Sequence, residues 1–442
     1  MSIDGNTAVQ MDPDSLHAAN LAPRPQTLEA TGLSLSFLCD LTEKHLFEGG
    51  VLSLRDLVKR TALSGRLLDD VLNFLRKEGR IEIRAQIADE HGLRYGLTER
   101  GRGSALAALT VSGYIGPAPV PLDDYVRIVR MQSVRAGSVT REHMHRAFGD
   151  LTLDPRMLDR LGPAVNSGKA IFVYGSPGTG KTYVTQKLAR LFDNMCLIPH
   201  AIAVGETVVR VYDASIHKQT RETTPTVMLN MGHDPRFVVC RRPVVITGGE
   251  LTADMLEIQY DAASRQYRAP LQLKANGGIF ILDDLGRQRV APAAVLNRWI
   301  VPMEDGADYL TLNTGQHFST PFDVILVFST NLNPGDLVDG AFLRRIGYKI
   351  RFDPLPADQY HAIWRAVCAD NDVAYDPSVC QFTIDALHRP SNTPMLPCHP
   401  RDLIGMAMDR MEYLHGDGEL STELIQWAWH NYFVTDNSSP QG

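Results

Sequence analysis

The chain has 442 residues, too many for one ordinary hydrophobic core, and its 44% apolar and 21% charged content is that of a multidomain globular protein. Forty-four Lys and Arg against 51 Asp and Glu leave a net charge of −7, which excludes a chain-wide positive field for holding nucleic-acid phosphates. Six scattered cysteines (Cys39, Cys196, Cys240, Cys368, Cys380 and Cys398) include no CxxC pair, no apolar run approaches a membrane span, and the first residues lack a basic-then-apolar leader, so a cytoplasmic protein without disulfides or membrane insertion is expected.

Residues 1–31 are polar, carry prolines and show no hydrophobic period, and are expected to form a disordered tail. Residues 32–112 have an ordered pattern. Leu35, Leu38, Cys39, Leu41 and Leu46 make one helical stripe, Leu54 to Arg60 opens a second helix, and Leu67, Leu68, Val71, Leu72 and Leu75 line a third. Ile81–Arg84 and Leu93–Leu97 read as strands around a polar turn at Asp89–Gly92, before a last helix from Glu99. This order resembles a winged helix-turn-helix domain. A DNA-reading helix needs a basic or amide-bearing face, yet Asp69 and Asp70 stand beside Arg66, Asn73 and Lys77, and residues 34–112 hold 12 Lys or Arg against 11 Asp or Glu. That balance favours an adaptor for protein contact, with DNA binding as the alternative.

Residues 113–136, with Gly113, Gly116, Pro117, Pro119 and Pro121, read as a linker turning helical at Asp123. From 137 to 353, short apolar runs at Ala170–Tyr174, Pro243–Ile246, Ile279–Leu282 and Val324–Ser329 alternate with helical stretches, which predicts an α/β domain with a parallel sheet. Residues 354–433 read as an all-helical lid, and 434–442 as a tail. Lys181 and Asp283 are 102 positions apart, leaving room for an insertion between roughly 199 and 270, where Val208 to Tyr212 predicts a hairpin. Tyr260, Arg265, Gln266 and Tyr267 fit either a partner-contacting loop or core packing. His143 and His145 face apart, and Cys398 and His399 have no partners at ligand spacing, so no transition-metal site is expected.

Gly175-Ser176-Pro177-Gly178-Thr179-Gly180-Lys181-Thr182 matches the phosphate-binding pattern GxxxxGK[ST], follows the apolar strand and precedes a helix starting near Tyr183. Glycines let backbone N–H groups converge on an anion at a helix start, so residues 175–183 are expected to hold the phosphates of ATP. Lys181 would neutralise the outer phosphates, and Thr182 would offer its hydroxyl to Mg²⁺. Gly278-Ile279-Phe280-Ile281-Leu282-Asp283-Asp284 is a buried strand ending in two carboxylates: Asp283 is expected to hold the magnesium through water, and Asp284 to orient or deprotonate the attacking water. Asp284 stands where such sites usually carry Glu, one methylene longer.

These elements, together with the Val324–Asn331 strand, Asp339-Gly340-Ala341-Phe342-Leu343-Arg344-Arg345-Ile346 and Pro400-Arg401-Asp402-Leu403, resemble in content and order the AAA+ ATPase superfamily over residues 170–402. The resemblance implies a P-loop NTPase sheet with a helical lid. It implies that Asn331 senses the γ-phosphate or the water, that Arg345, or Arg344 in its place, reaches a neighbour's γ-phosphate as an arginine finger, and that Arg401 couples the lid to the nucleotide. A finger acting in trans implies a homo-oligomeric ring, such as a hexamer. Ala275-Asn276-Gly277-Gly278 looks like the branch near MoxR-type chaperone ATPases and enhancer-binding activators. Ala164-Val165-Asn166-Ser167-Gly168 and Arg241-Arg242-Pro243-Val244-Val245 resemble predicted bacterial ATPases with chaperone activity associated with Flp pilus assembly, implying an unidentified protein client in a pilus or secretion system. An ATP-dependent DNA-binding regulator or loader and a slow-hydrolysing nucleotide switch are the rival readings.

Overall fold

The computed structural model describes residues 18–84, 92–149, 151, 153–192, 194–220, 232–337, 340–414 and 419–433. Residues 89–91 of the turn expected at Asp89–Gly92 lie outside them. A five-stranded parallel sheet carries the expected α/β fold, its strands in the spatial order Val244–Thr247, Gly278–Leu282, Val324–Thr330, Ile171–Gly175, Tyr348–Phe352. The chain's first strand of this sheet therefore lies between its fourth and fifth. Gly278–Leu282 and Val324–Thr330 are buried at every position, as strands covered on both faces must be. Tyr348–Phe352, absent from the predicted runs, pairs among the described residues only with Ile171–Gly175 and buries alternate residues, Ile350 and Phe352.

Contacts divide the chain into two compact units. The first comprises Met1–Gly137, Phe192–Phe280 and Ala294–Ile325. Within it, helices Leu35–Gly49, Leu54–Thr61, Gly65–Lys77 and Glu99–Val111 accompany a three-stranded antiparallel sheet in which Arg94–Leu97 lies between Leu52–Ser53 and Ile81–Arg84. Ser34, Ser53, Ser64 and Thr98 each cap one of these helices with a side-chain oxygen, and Ser53 with Asp56 forms a reciprocal capping box. Leu67, Leu68, Val71, Leu72 and Leu75 are buried as their spacing predicts. Gly101 is obligatory, because a Cβ there would stand 2.0 Å from the Arg80 carbonyl oxygen.

Two expectations need correction in this unit. The segment read as a disordered tail is folded from residue 18: Ala18, Leu21 and Ala22 are buried with Val120, Ile128, Leu197 and Phe237, and Pro23 bridges to His233. The segment read as a linker is likewise built in, and its expected turn to helix at Asp123 is present. Tyr114 is buried and donates to the Pro117 carbonyl, Val120–Pro121 pairs with Ile202 and Ala203, and Leu122–Met131 is a helix burying Tyr125, Ile128 and Val129. Both segments are fastened by Arg236, buried in an ion pair with Asp234, whose Nη1 donates to the Thr31 oxygen at 2.9 Å and the Pro119 oxygen at 3.3 Å. A guanidinium needs several acceptors to be buried, and main-chain carbonyls of otherwise patternless segments supply them.

The expected insertion holds Ala201–Val204 and Thr207–Arg210 as an antiparallel hairpin, extended by Val120–Pro121 on one side and by Gln266–Arg268 and Gln259–Asp261 on the other. Tyr260 and Tyr267 pack with ring centroids 4.7 Å apart and planes tilted by 44° on that last pair. Two residues that carried the family resemblance prove to be structural hubs. Asn276 donates to the Tyr125 hydroxyl and the Pro321 oxygen and accepts from the Asp323 N–H, while Arg242 donates to Asn194 and to the Gly277 and Gln132 oxygens.

The second unit comprises Ser138–Leu191, Ile281–Ala293 and Leu326–Gly442. It contains helices Arg141–Phe148 and Pro155–Asn166, strand Ile171–Gly175, helix Lys181–Lys187, helix Gly340–Arg345 and strand Tyr348–Phe352. Its lid has helices Ala357–Asp370, Pro377–Phe382, Cys398–Tyr413 and Thr422–Tyr432 around a core including Tyr360, Trp364, Leu403, Ile425 and Trp429. Among the described residues no helix is long and apolar enough to cross a membrane.

Candidate nucleotide-binding site

Strand Ile171–Gly175 buries Ile171, Phe172 and Val173 and delivers the glycine-rich loop at its carboxyl end. Gly178 (φ 81°) and Gly180 (φ 84°) hold the left-handed backbone that lets the loop fold back on itself, a conformation costly for residues with a Cβ. Lys181 opens the following helix and is 5% exposed. Its Nζ donates to the Gly175 and Ser176 oxygens at 2.8 Å each and to Thr179 Oγ1 at 3.4 Å, while Thr179 Oγ1 donates to the Ser176 oxygen at 2.8 Å. Burial draws the Lys181 pKa below its ordinary value, and the charges of Asp284 and Asp283 oppose that shift. The ammonium is thus held in place by loop carbonyls, and both carboxylates are close enough to act on it. Ser176, Pro177, Gly178 and Thr182 are exposed, as is Tyr183, whose ring lies under the Lys187 ammonium at 5.1 Å.

Asp283 and Asp284 are half-buried at the end of the all-buried Gly278–Leu282 strand. Asp284 adopts φ 50°, uncommon for a residue other than glycine, and its N–H donates to Asp283 Oδ1 at 3.1 Å. Asn331 Nδ2 donates to Asp284 Oδ1 at 2.7 Å. The turn is fastened to the neighbouring strand by the Leu285 N–H to the Ser329 oxygen and by Thr330 Oγ1 to the Leu285 oxygen, both at 2.7 Å. Gln288 Nε2 donates to the Asp283 and Asp284 carbonyls at 3.1 Å each, and Gln288 Oε1 accepts from the Gly286 N–H. Gln288 and Thr330 are turn-shaping residues that sequence reasoning missed, because nothing in their spacing marks them.

The lid contributes a third side. A Cβ placed on Gly178 would meet Cys398 Sγ at 2.7 Å and Leu396 Cδ1 at 3.2 Å, so the start of helix Cys398–Tyr413 lies against the glycine-rich loop. Arg401, one turn along, has a side chain 73% exposed and pairs with Asp402 at 3.7 Å. Arg344 and Arg345 are exposed in the last turn of Gly340–Arg345. The structure therefore groups Lys181, Asp283, Asp284 and Asn331, sets the lid against their loop, and leaves the two finger candidates on the surface.

Among the described residues no group of three or more His, Cys, Asp or Glu could hold a metal ion. One carboxylate and one hydroxyl, Asp283 and Thr182, nevertheless fit magnesium, which takes its remaining ligands from water and phosphate oxygens.

Residues 356–431, the lid, match a family described as a domain of unknown function, DUF8689. No curated protein matches the chain. Solved structures similar to it include a point mutant of Thermotoga maritima RuvB (14% identity, TM-score 0.38, covering 65% of this chain and 73% of that one). They also include Brucella abortus NtrX (12%, 0.38, 70% and 58%) and domain III of the Thermotoga maritima replication initiation protein DnaA (12%, 0.37, 66% and 98%). The fold class rests on the sheet order and loop geometry of the chain itself.

Proposed function

We propose that the protein binds ATP with magnesium and hydrolyses it, as an AAA+ ATPase whose subunits complete one another's sites in a ring. The observation that carries this reading is the grouping at neighbouring strand ends of a glycine-rich loop in left-handed conformation, a buried Lys181, and an acidic turn whose Asp284 is held by Asn331. In this reading loop N–H groups and Lys181 bind the β- and γ-phosphates, exchanging the loop carbonyls that now hold the ammonium for phosphate oxygens. Magnesium, when bound, would neutralise charge on the β- and γ-oxygens, with Thr182 and Asp283 as its protein ligands. Asp284 accepts the proton of the attacking water, and Asn331 fixes the carboxylate that does so. Arg345 of one subunit, or Arg344, meets the charge developing at the neighbour's terminal phosphate. Steady-state phosphate release tests this: the wild-type chain should turn over MgATP and Lys181→Ala should not, whereas equal release from both would remove the assignment.

The work driven by hydrolysis is remodelling or assembly of a protein client, the N-terminal domain serving as adaptor. On helix Gly65–Lys77 the exposed set is Arg66, Asp69, Asp70, Asn73, Phe74, Arg76 and Lys77, a mixed-charge face with an exposed aromatic ring, which suits protein contact better than phosphates. Gel shifts with duplex DNA at several salt concentrations test this, since tight binding with a steep salt slope would favour a DNA-binding regulator. One observation favours a second reading, a slow switch: Asp284 is short, conformationally strained and already engaged by Asn331.

A further inference from the structure

Helix Cys398–Tyr413 begins against the glycine-rich loop, and three of its first five residues form a connected group with the end of the last helix. Cys398 and Arg401 are three apart and share a helix face, so the face that meets Gly178 also carries the arginine. Asp402 stands between two partners. Its Oδ1 is 3.7 Å from Arg401 Nε, and its Oδ2 accepts from the Tyr432 hydroxyl at 2.9 Å. The same hydroxyl lies 3.9 Å from Cys398 Sγ. Burial and the Asp402 charge raise the Tyr432 pKa, so the phenol keeps its proton and remains the donor.

An arginine cannot serve two anions equally. Asp402 is covalently next to Arg401 and always present, whereas a terminal phosphate arrives only with a nucleoside triphosphate. A carboxylate that accepts a hydroxyl hydrogen bond has part of its charge satisfied elsewhere and attracts the guanidinium less. Removing the hydroxyl leaves that charge to Arg401 alone.

We infer that Asp402 is a built-in rival anion for Arg401, and that Tyr432 is a positioning residue whose hydroxyl holds this carboxylate off, thereby setting how strongly the site prefers nucleoside triphosphate to diphosphate. The inference rests on the nucleotide reading above. It extends the site to the last helix of the lid, 30 residues beyond Asp402.

The test is equilibrium titration of the full chain with magnesium and either a non-hydrolysable ATP analogue or ADP, at low ionic strength. Tyr432→Phe should weaken the analogue about threefold to fivefold, the range of an exposed ion pair, and leave ADP unchanged. Asp402→Asn should tighten the analogue by a similar factor, and Tyr432→Phe should add nothing in the Asp402→Asn background. A merely structural tyrosine would move both nucleotides alike, and its effect would persist in that background; either result overturns the inference, as does an Asp402→Asn chain that binds the analogue no better. A wild-type chain that binds neither nucleotide overturns the nucleotide reading itself, and the inference with it.

Discussion

At the scale of single residues, the site turns on Asp284. Its φ of 50° costs something that Asp bears better than most residues, because its short polar side chain can bond locally. Here the side chain bonds to Asn331 instead, which points one oxygen and leaves the other for water. Asp284→Asn should therefore keep nucleotide affinity and lose roughly 10²- to 10⁴-fold in turnover, the usual share of a general base, as measured by phosphate release beside nucleotide titration. Turnover within a few-fold of wild type would mean that another group handles the proton. The glycine-rich loop and Asp283–Asp284 were legible because each is a local pattern of adjacent residues joined to a buried strand. The Asn331 to Asp284 bond was not, since it spans 47 positions and depends on which strands become neighbours. The same limit hid Thr330 and Tyr432, whereas Gln288 bonds within five positions and was missed because its spacing matches no motif.

At the scale of elements, the three central strands could be read as apolar runs because burial on both faces demands continuous hydrophobicity. Both edge strands bury alternate residues, and of these Val244–Thr247 was read from its unbroken apolar run while Tyr348–Phe352 resembles ordinary amphipathic sequence. Residues 18–31 and 113–121 were misread for a related reason: their order comes from long-range partners such as Arg236, which no local period announces, whereas the helix expected from Asp123 is present as Leu122–Met131. The lid carries its own prediction. His399 is 3% exposed and stacks on His388 at 5.3 Å; burial, followed by the nearby His388, pulls its pKa from 6.5 to about 4, and burial lowers His388 as well. The unfolded chain takes up a proton near the ordinary value and the folded lid refuses it until about pH 4. Stability is thus fully present above the ordinary value and falls as pH drops through this window. Thermal unfolding followed by fluorescence of the buried Trp364 and Trp429 should show a lower midpoint at acidic than at neutral pH, and His399→Gln should flatten the dependence. An unchanged slope in that variant would assign the effect to other groups.

At the scale of the whole molecule, the proposed arginine finger requires a second subunit, and Arg344 and Arg345 are exposed, as such a role needs. Arg345→Ala should bind nucleotide normally and lose roughly a hundredfold to a thousandfold in turnover. Mixed with Lys181→Ala subunits, which keep the finger but lack the phosphate lysine, it should regain part of the activity, because some interfaces then pair an intact site with an intact arginine. Wild-type turnover by Arg345→Ala would pass the role to Arg344 or remove it, and a mixture no more active than its components would speak against a shared site. The mildly acidic whole supplies no chain-wide positive field for nucleic-acid phosphates.

The claim on which all of this depends is that the turn at Gly175–Lys181 closes around a triphosphate. Calorimetric titration of the full chain with ATP in the presence of magnesium tests it most directly. Saturable heat from the wild-type chain, abolished by Lys181→Ala, is the predicted result; no heat from the wild-type chain, or equal heat from both, would contradict it.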